Sequence, residues 1–140
     1  MSTLLKADMV TKALGNAPHK GKHMLEPVAS FAKENKFPYG ILEDHEVLDN
    51  LAEVHKTEGD LWICYEGNSV FVCGGEMVEP WAKENTDGTK DENELKAKSI
   101  KGGERIVLEP GDVLWIPPGE PHQHNCEGTT RLAIIKIPKR

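Results

Sequence analysis

At 140 residues the chain suits one domain, because a second core would hold too little apolar material to stand alone. Its 17 Lys and Arg against 23 Asp and Glu give a net charge of −6, with no basic face of interleaved aromatics, which argues against nucleic acid as a partner. Hydrophobic residues at 38%, with 13 Gly and 9 Pro, suit a turn-rich all-β domain rather than a coiled coil or a disordered chain.

The three cysteines, Cys64, Cys73 and Cys126, have no Cys-x-x-Cys spacing, which indicates a reducing compartment rather than a disulfide framework. The first residues lack the basic start and apolar run of a signal peptide, and nowhere do apolar residues run long enough to span a membrane. The expectation is a soluble, cytoplasmic protein with no membrane association.

In chain order, Leu4, Leu5, Val10, Ala13 and Leu14 recur near helical spacing, with Ser2 or Thr3 as a cap and Gly15 as a stop. This predicts a short N-terminal helix packed on the outside of the domain. Residues Asn16 to Lys22 read as a polar loop, and His19 and His23 as solvated surface histidines. From Ile41 the pattern turns to strands, which divides the chain into an N-terminal arm over 1–36 and a β-domain over 37–140.

Leu61 to Tyr65 and Ser69 to Cys73 flank Glu66-Gly67-Asn68 and read as a β-hairpin. Period-2 alternation puts Asp60, Trp62, Cys64, Phe71 and Cys73 on one face, and Leu61, Ile63, Tyr65, Val70 and Val72 on the other. Both faces are mostly apolar, so a second sheet is expected to cover one and a partner subunit the other. The charged stretch from Glu76 to Lys98 reads as a long loop, either a solvated excursion or a lid, with Trp81 as its candidate contact. Further strands follow at Arg105 to Leu108, Val113 to Ile116 and Arg131 to Ile137, separated by Gly and Pro turns as in a sandwich or barrel.

The stretch Gly111, Pro117, Gly119 and His122 has the spacing of the second cupin motif, and on it the chain resembles the cupin superfamily, small single-domain type. The turn at Gly111-Asp112 starts a strand and Pro117-Pro118-Gly119 bends it, which aims His122 inward. The family's Asn after the His is replaced by Cys126, with Asn125 one residue early. Counting back from Gly67 to align the first motif puts Asp60 at the family's Glu and His55 at its second His, and Glu53 at its first.

The resemblance implies a double-stranded β-helix jelly-roll barrel and one divalent metal, Fe, Mn, Zn or Ni, held by Glu53, His55, Asp60 and His122. Two imidazoles with one or two carboxylates suit such ions in an open coordination sphere. Glu53 would serve as a fourth ligand or a general base. Asp60 is a methylene shorter than Glu, so His124, on the same face as His122, could compensate. Trp62 and Phe71, with His124, are candidate pocket residues; the alternative for the aromatics is barrel core. The implied function is binding or conversion of a small polar metabolite by isomerase, lyase or dioxygenase chemistry, in a homodimer whose N-terminal arm packs between subunits. The alternative is a non-catalytic binding or sensing cupin with a degraded metal site.

Overall fold

The computed structural model describes residues 1–140. Two helices, α1 (Ala7–Leu14) and α2 (Val28–Asn35), and twelve strands make up the chain. The strands are β1 (Gly21–Met24), β2 (Tyr39–Val47), β3 (Ala52–His55), β4 (Glu58–Glu66), β5 (Ser69–Cys73), β6 (Glu76–Met77), β7 (Trp81–Glu84), β8 (Lys90–Ala97), β9 (Ile100–Lys101), β10 (Glu104–Leu108), β11 (Val113–Ile116) and β12 (His122–Pro138). Neither helix is long and apolar enough to cross a membrane.

Ten of the twelve strands form two antiparallel layers that share β12, and β6 pairs with β9 in a separate two-stranded ribbon. One layer runs β1, β2, β12, β4, β11, and the other runs β7, β8, β3, β12, β5, β10. β12 changes layer at a bulge between Cys126 and Thr129: its first residues pair with β3 and β5, its last with β2 and β4. A bulge of this kind bends a long strand so that it can serve two sheets. This is an all-β jelly-roll barrel with a short N-terminal helix, as the turn-separated strands and the motif spacing predict.

The expected hairpin is not formed. β4 pairs with β11 and β12, while β5 pairs with β10 and β12, so residues 66–68 form a corner between layers. Gly67 turns that corner with φ +72°, and a Cβ there would lie 2.0 Å from the Thr129 carbonyl oxygen; only glycine fits both the backbone and the space. The alternation itself holds, because it depends on the strand and not on the partner. Asp60, Trp62, Cys64, Phe71 and Cys73 are buried, and the opposite set is half-buried.

Trp62, Cys64, Phe71 and Cys73 join Leu42, Leu108, Ile116 and Leu132 as the barrel core. Burial of a side chain such as Phe71 stabilises by about 1.5–3 kcal/mol. All three cysteines are buried and unpaired. A second cluster, Ala13, Leu25, Val28 and Ile41, fastens the helices to the outside of β2, with Leu5, Met9, Val10 and Leu14 packed against it. Gly15 ends α1, but neither Ser2 nor Thr3 caps it: the N-cap position is Lys6.

Two further readings are corrected by the fold. The 76–98 stretch is not a loop: β7 and β8 extend one layer beyond β3, with exposed charges on their outer positions and Ala97 buried. Trp81 stands exposed on β7. His23 is not simply solvated: it lies on β1, its Nε2 2.8 Å from the buried carboxylate of Glu43. Glu43 also accepts from the His19 backbone N–H at 3.0 Å and from the Arg131 guanidinium at 2.8 and 3.0 Å. Arg131 in turn donates to the carbonyls of Leu14 and Asn16. This clasp ties the N-terminal segment to β2 and β12 with charge-assisted bonds, the stronger kind.

Candidate metal centre

Four side chains from three strands converge at one end of the barrel. Glu53 and His55 are two apart on β3 and share a face; Asp60 lies on β4, and His122 opens β12 directly opposite Glu53. The second-motif turn is tied to this strand, because the Gly119 N–H donates to the His55 carbonyl at 2.8 Å.

One ligand-type atom from each of Glu53, His55 and His122 lies within 4.8 Å of the other two. His55 Nε2 is 3.4 Å from Glu53 Oε2 and 3.4 Å from Asp60 Oδ2, and His122 Nε2 is 3.3 Å from Asp60 Oδ2.

The opposite ring nitrogens decide what faces the middle. His55 Nδ1 is 2.7 Å from Glu94 Oε2, and His122 Nδ1 is 3.1 Å from the Glu120 carbonyl. Both partners are acceptors, so each Nδ1 carries the hydrogen and each Nε2 of a neutral ring presents a lone pair. Asp60 Oδ2 and His122 Nε2 are buried without a hydrogen-bond partner. Lone pairs of this kind, turned on one another and shielded from water, require a cation or protons between them. A carboxylate or carbonyl fixing the far side of a histidine is also the arrangement that orients metal-ligating imidazoles. The residues therefore fit a divalent ion.

The charges show the same demand. Burial alone would lower the His55 pKa, but the Asp60 and Glu53 carboxylates outweigh it and raise it to about 10. Burial works to raise Asp60, and His122, His55 and Lys136 more than offset it, holding its carboxyl well below the usual carboxylate range. Glu53 is held down in the same way by His55, Lys22 and Lys96, against its burial. Without a metal cation, a proton on His55 is what these carboxylates recruit.

Three lysines stand close by. Lys136 Nζ lies 2.6 Å from Asp60 Oδ1 and 3.4 Å from His55 Nε2, Lys96 Nζ lies 2.5 Å from Glu53 Oε1, and Lys22 Nζ lies 3.8 Å from the same oxygen. Each of the two carboxylates thus turns one oxygen to lysine and the other to histidine, Glu53 to His55 and Asp60 to both His55 and His122.

Beside the centre a cavity of about 290 Å³ runs between the barrel and β1, with Glu53, Asp60, Trp62 and His124 in its lining and Met24 and Lys22 of β1 in its outer wall. His124 is clamped between Trp62 and Phe71, at ring-centroid distances of 5.2 and 5.0 Å, and its Nδ1 is 2.7 Å from the buried Asp44 carboxylate. Phe71 is fully buried behind these two and belongs to the core. His124 takes no part in the cluster around His55 and His122.

Glu94, Lys96, Lys136 and Asp44 are not among the site residues predicted from sequence. Lys136 had a signal: it is the one charge in Ile134-Ile-Lys-Ile137, in phase with the inward Leu132 and Ile134. Glu94 had none, because a run of alternating charges reads as solvent-facing until β8 is known to pair with β3 and to set Glu94 opposite His55.

Known proteins share this architecture. Residues 96–138 match the family model described as the cupin domain. The (R)-mandelonitrile lyase of Granulicella tundricola is 40% identical over 40 residues, 29% of this chain and 30% of that protein. The solved structure of YcfD from Escherichia coli superposes with a TM-score of 0.55 at 15% identity, over 90% of this chain and 36% of that one. YcfD described as a ribosomal oxygenase in complex with cobalt and 2-oxoglutarate gives a TM-score of 0.53 at 13% identity, over 99% of this chain and 36% of that one. The chain thus spans about a third of the length of the lyase and of YcfD, and at 13 to 15% identity the structural likeness to YcfD shows a shared fold. Both motif stretches thus lie on adjoining strands of a jelly-roll barrel, and residues 96–138 are similar to the cupin domain.

Proposed function

We propose that Glu53, His55, Asp60 and His122 hold one divalent metal, and that the protein binds or converts a small polar metabolite in the adjoining cavity. The observation that carries this reading is the convergence of buried acceptor atoms, His122 Nε2 and Asp60 Oδ2 above all, with both Nδ1 atoms already engaged. An ion bound there would supply Lewis acidity for isomerase or lyase chemistry or, if redox-active, activation of oxygen for dioxygenase chemistry. The chain's own residues orient the substrate and exclude water: Trp62, Leu42 and Met24 give the cavity apolar walls. His124, held at Nδ1 by Asp44, has its other ring nitrogen free to hold or move a proton at the cavity surface.

Elemental analysis of protein purified without added metal, and again after exposure to Mn, Fe, Ni or Zn, tests the reading. Near-stoichiometric metal is expected, with a fall in Tm on chelation, since a ligand at 100 times its Kd stabilises by about 2.7 kcal/mol. No metal under any of these conditions would overturn it. A specific observation favours the second reading, a metal-free binding or sensing cupin: the Lys136 and Lys96 ammoniums already lie against Asp60 and Glu53. The same measurement separates the two.

The reading includes a homodimer. Leu61, Ile63, Val113, Trp115 and Ile137 form one outward apolar face on β4, β11 and β12, with Val113 60% and Trp115 45% exposed. Copies that each carry a net charge of −6 can approach closely only where such charge is absent, and this face fits a second copy of the chain. Solution scattering is expected to give a dimer at micromolar concentration, and Trp115→Glu a monomer; a monomeric wild-type protein would refute the assembly.

A further inference from the structure

Three lysines stand among four carboxylates around the centre. Lys22, Lys96 and Lys136 face the carboxylates of Glu53, Asp60 and Glu58, and Glu94 is taken by His55. With neutral imidazoles, three ammoniums and a divalent ion against four carboxylates leave an excess of at least one positive charge, and Lys83 on the outer rim adds to it. The side chains of Lys22, Lys96 and Lys136 are 26 to 36% exposed, so water screens the excess only in part and a bound anion offsets it.

Of the three, Lys136 is placed to recognise that anion. Lys96 does not line the cavity, and Lys22 lies on β1 in its outer wall. Lys136 reaches into the cavity from β12, two residues beyond Ile134, and its ammonium touches both Asp60 and His55. An ammonium is a compact charge on a flexible stem, so it can exchange one carboxylate partner for another. Past this charged floor the cavity is apolar, walled by Met24, Phe37, Leu42, Trp62 and Ile134, and its volume of about 290 Å³ sits at the small end for small-molecule sites.

We infer that Lys136 is the anion-recognition residue of this cavity, and that the small molecule it takes is a monocarboxylate with an apolar body. This rests on the metal reading above, because the ion supplies the charge that the anion balances.

The test uses the full chain, with Mn uptake measured first by elemental analysis, then titration with benzoate and with its uncharged isostere benzamide by calorimetry. Mn-loaded wild-type protein is expected to bind benzoate at least about tenfold more tightly than benzamide, the scale of one hydrogen bond to a charged group. Lys136→Met is expected to abolish that preference while taking up Mn more tightly, because a competing ammonium has left Asp60; Lys136→Arg is expected to restore part of the preference. Full Mn uptake with equal binding of the two probes, with binding of neither at millimolar concentration, or with a preference unchanged in Lys136→Met, would overturn the inference and leave the metal reading standing. A wild-type protein that takes up none of Mn, Fe, Ni or Zn overturns both; where another of these ions loads in place of Mn, the same titrations are made with that ion.

Discussion

Replacing His122 by Ala is expected to weaken metal uptake more than about 100-fold, since loss of an outer partner alone typically costs 10–100-fold. His122 is buried, its Nδ1 is fixed by the Glu120 carbonyl, and its Nε2 has no protein partner, so the side chain has little other polar work. The comparison variant is His124→Ala. It removes a neighbouring imidazole from the same strand face, but one engaged with Asp44 and outside the cluster, and it is expected to retain metal. Circular dichroism and elemental analysis of both variants, side by side, check the expectation. Equal metal content in His122→Ala and the wild type would show that Glu53, His55 and Asp60 bind without it or that the ion lies elsewhere.

The second large effect is at the opposite side of β12. Arg131→Met is expected to lower the unfolding free energy by about 3–5 kcal/mol in urea titrations, the usual cost of leaving one member of a buried ion pair unpaired. Glu43 would be the stranded partner: it is fully buried and takes two hydrogen bonds from the guanidinium. That loss is a large share of the 5–15 kcal/mol that typical domains have in total. Adding Glu43→Leu to Arg131→Met is expected to recover much of the stability, because no buried charge is then left alone. The N-terminal segment should also become the first site of proteolysis in the single variant, since Arg131 holds the Leu14 and Asn16 carbonyls. As Lys22 and Met24 of that segment wall the cavity, its release would open the candidate site. A cost under about 1 kcal/mol would show that α1 and α2 are held by their apolar contacts alone.

What could be read without coordinates follows from local rules. Strand alternation placed Asp60, Trp62, Cys64 and Phe71 inward, and the spacing from Gly111 to His122 located the barrel mouth, because both depend only on backbone period and turn chemistry within a few residues. Partner choice is not local. The corner at Gly67 looks like a hairpin from its flanking strands, and only the approach of Thr129 shows that two layers meet there. For the same reason the charges of β8 read as solvated until β3 lies beside them and Glu94 meets His55. Glu53, His55, Asp60 and His122 were named by the resemblance to the family's motifs rather than by these local rules, and the structure brings their side chains close to one another. The three lysines that meet them, the Asp44 that holds His124, and the N-terminal strand that closes the cavity were set by tertiary pairing, since each lies far along the chain from the group it touches.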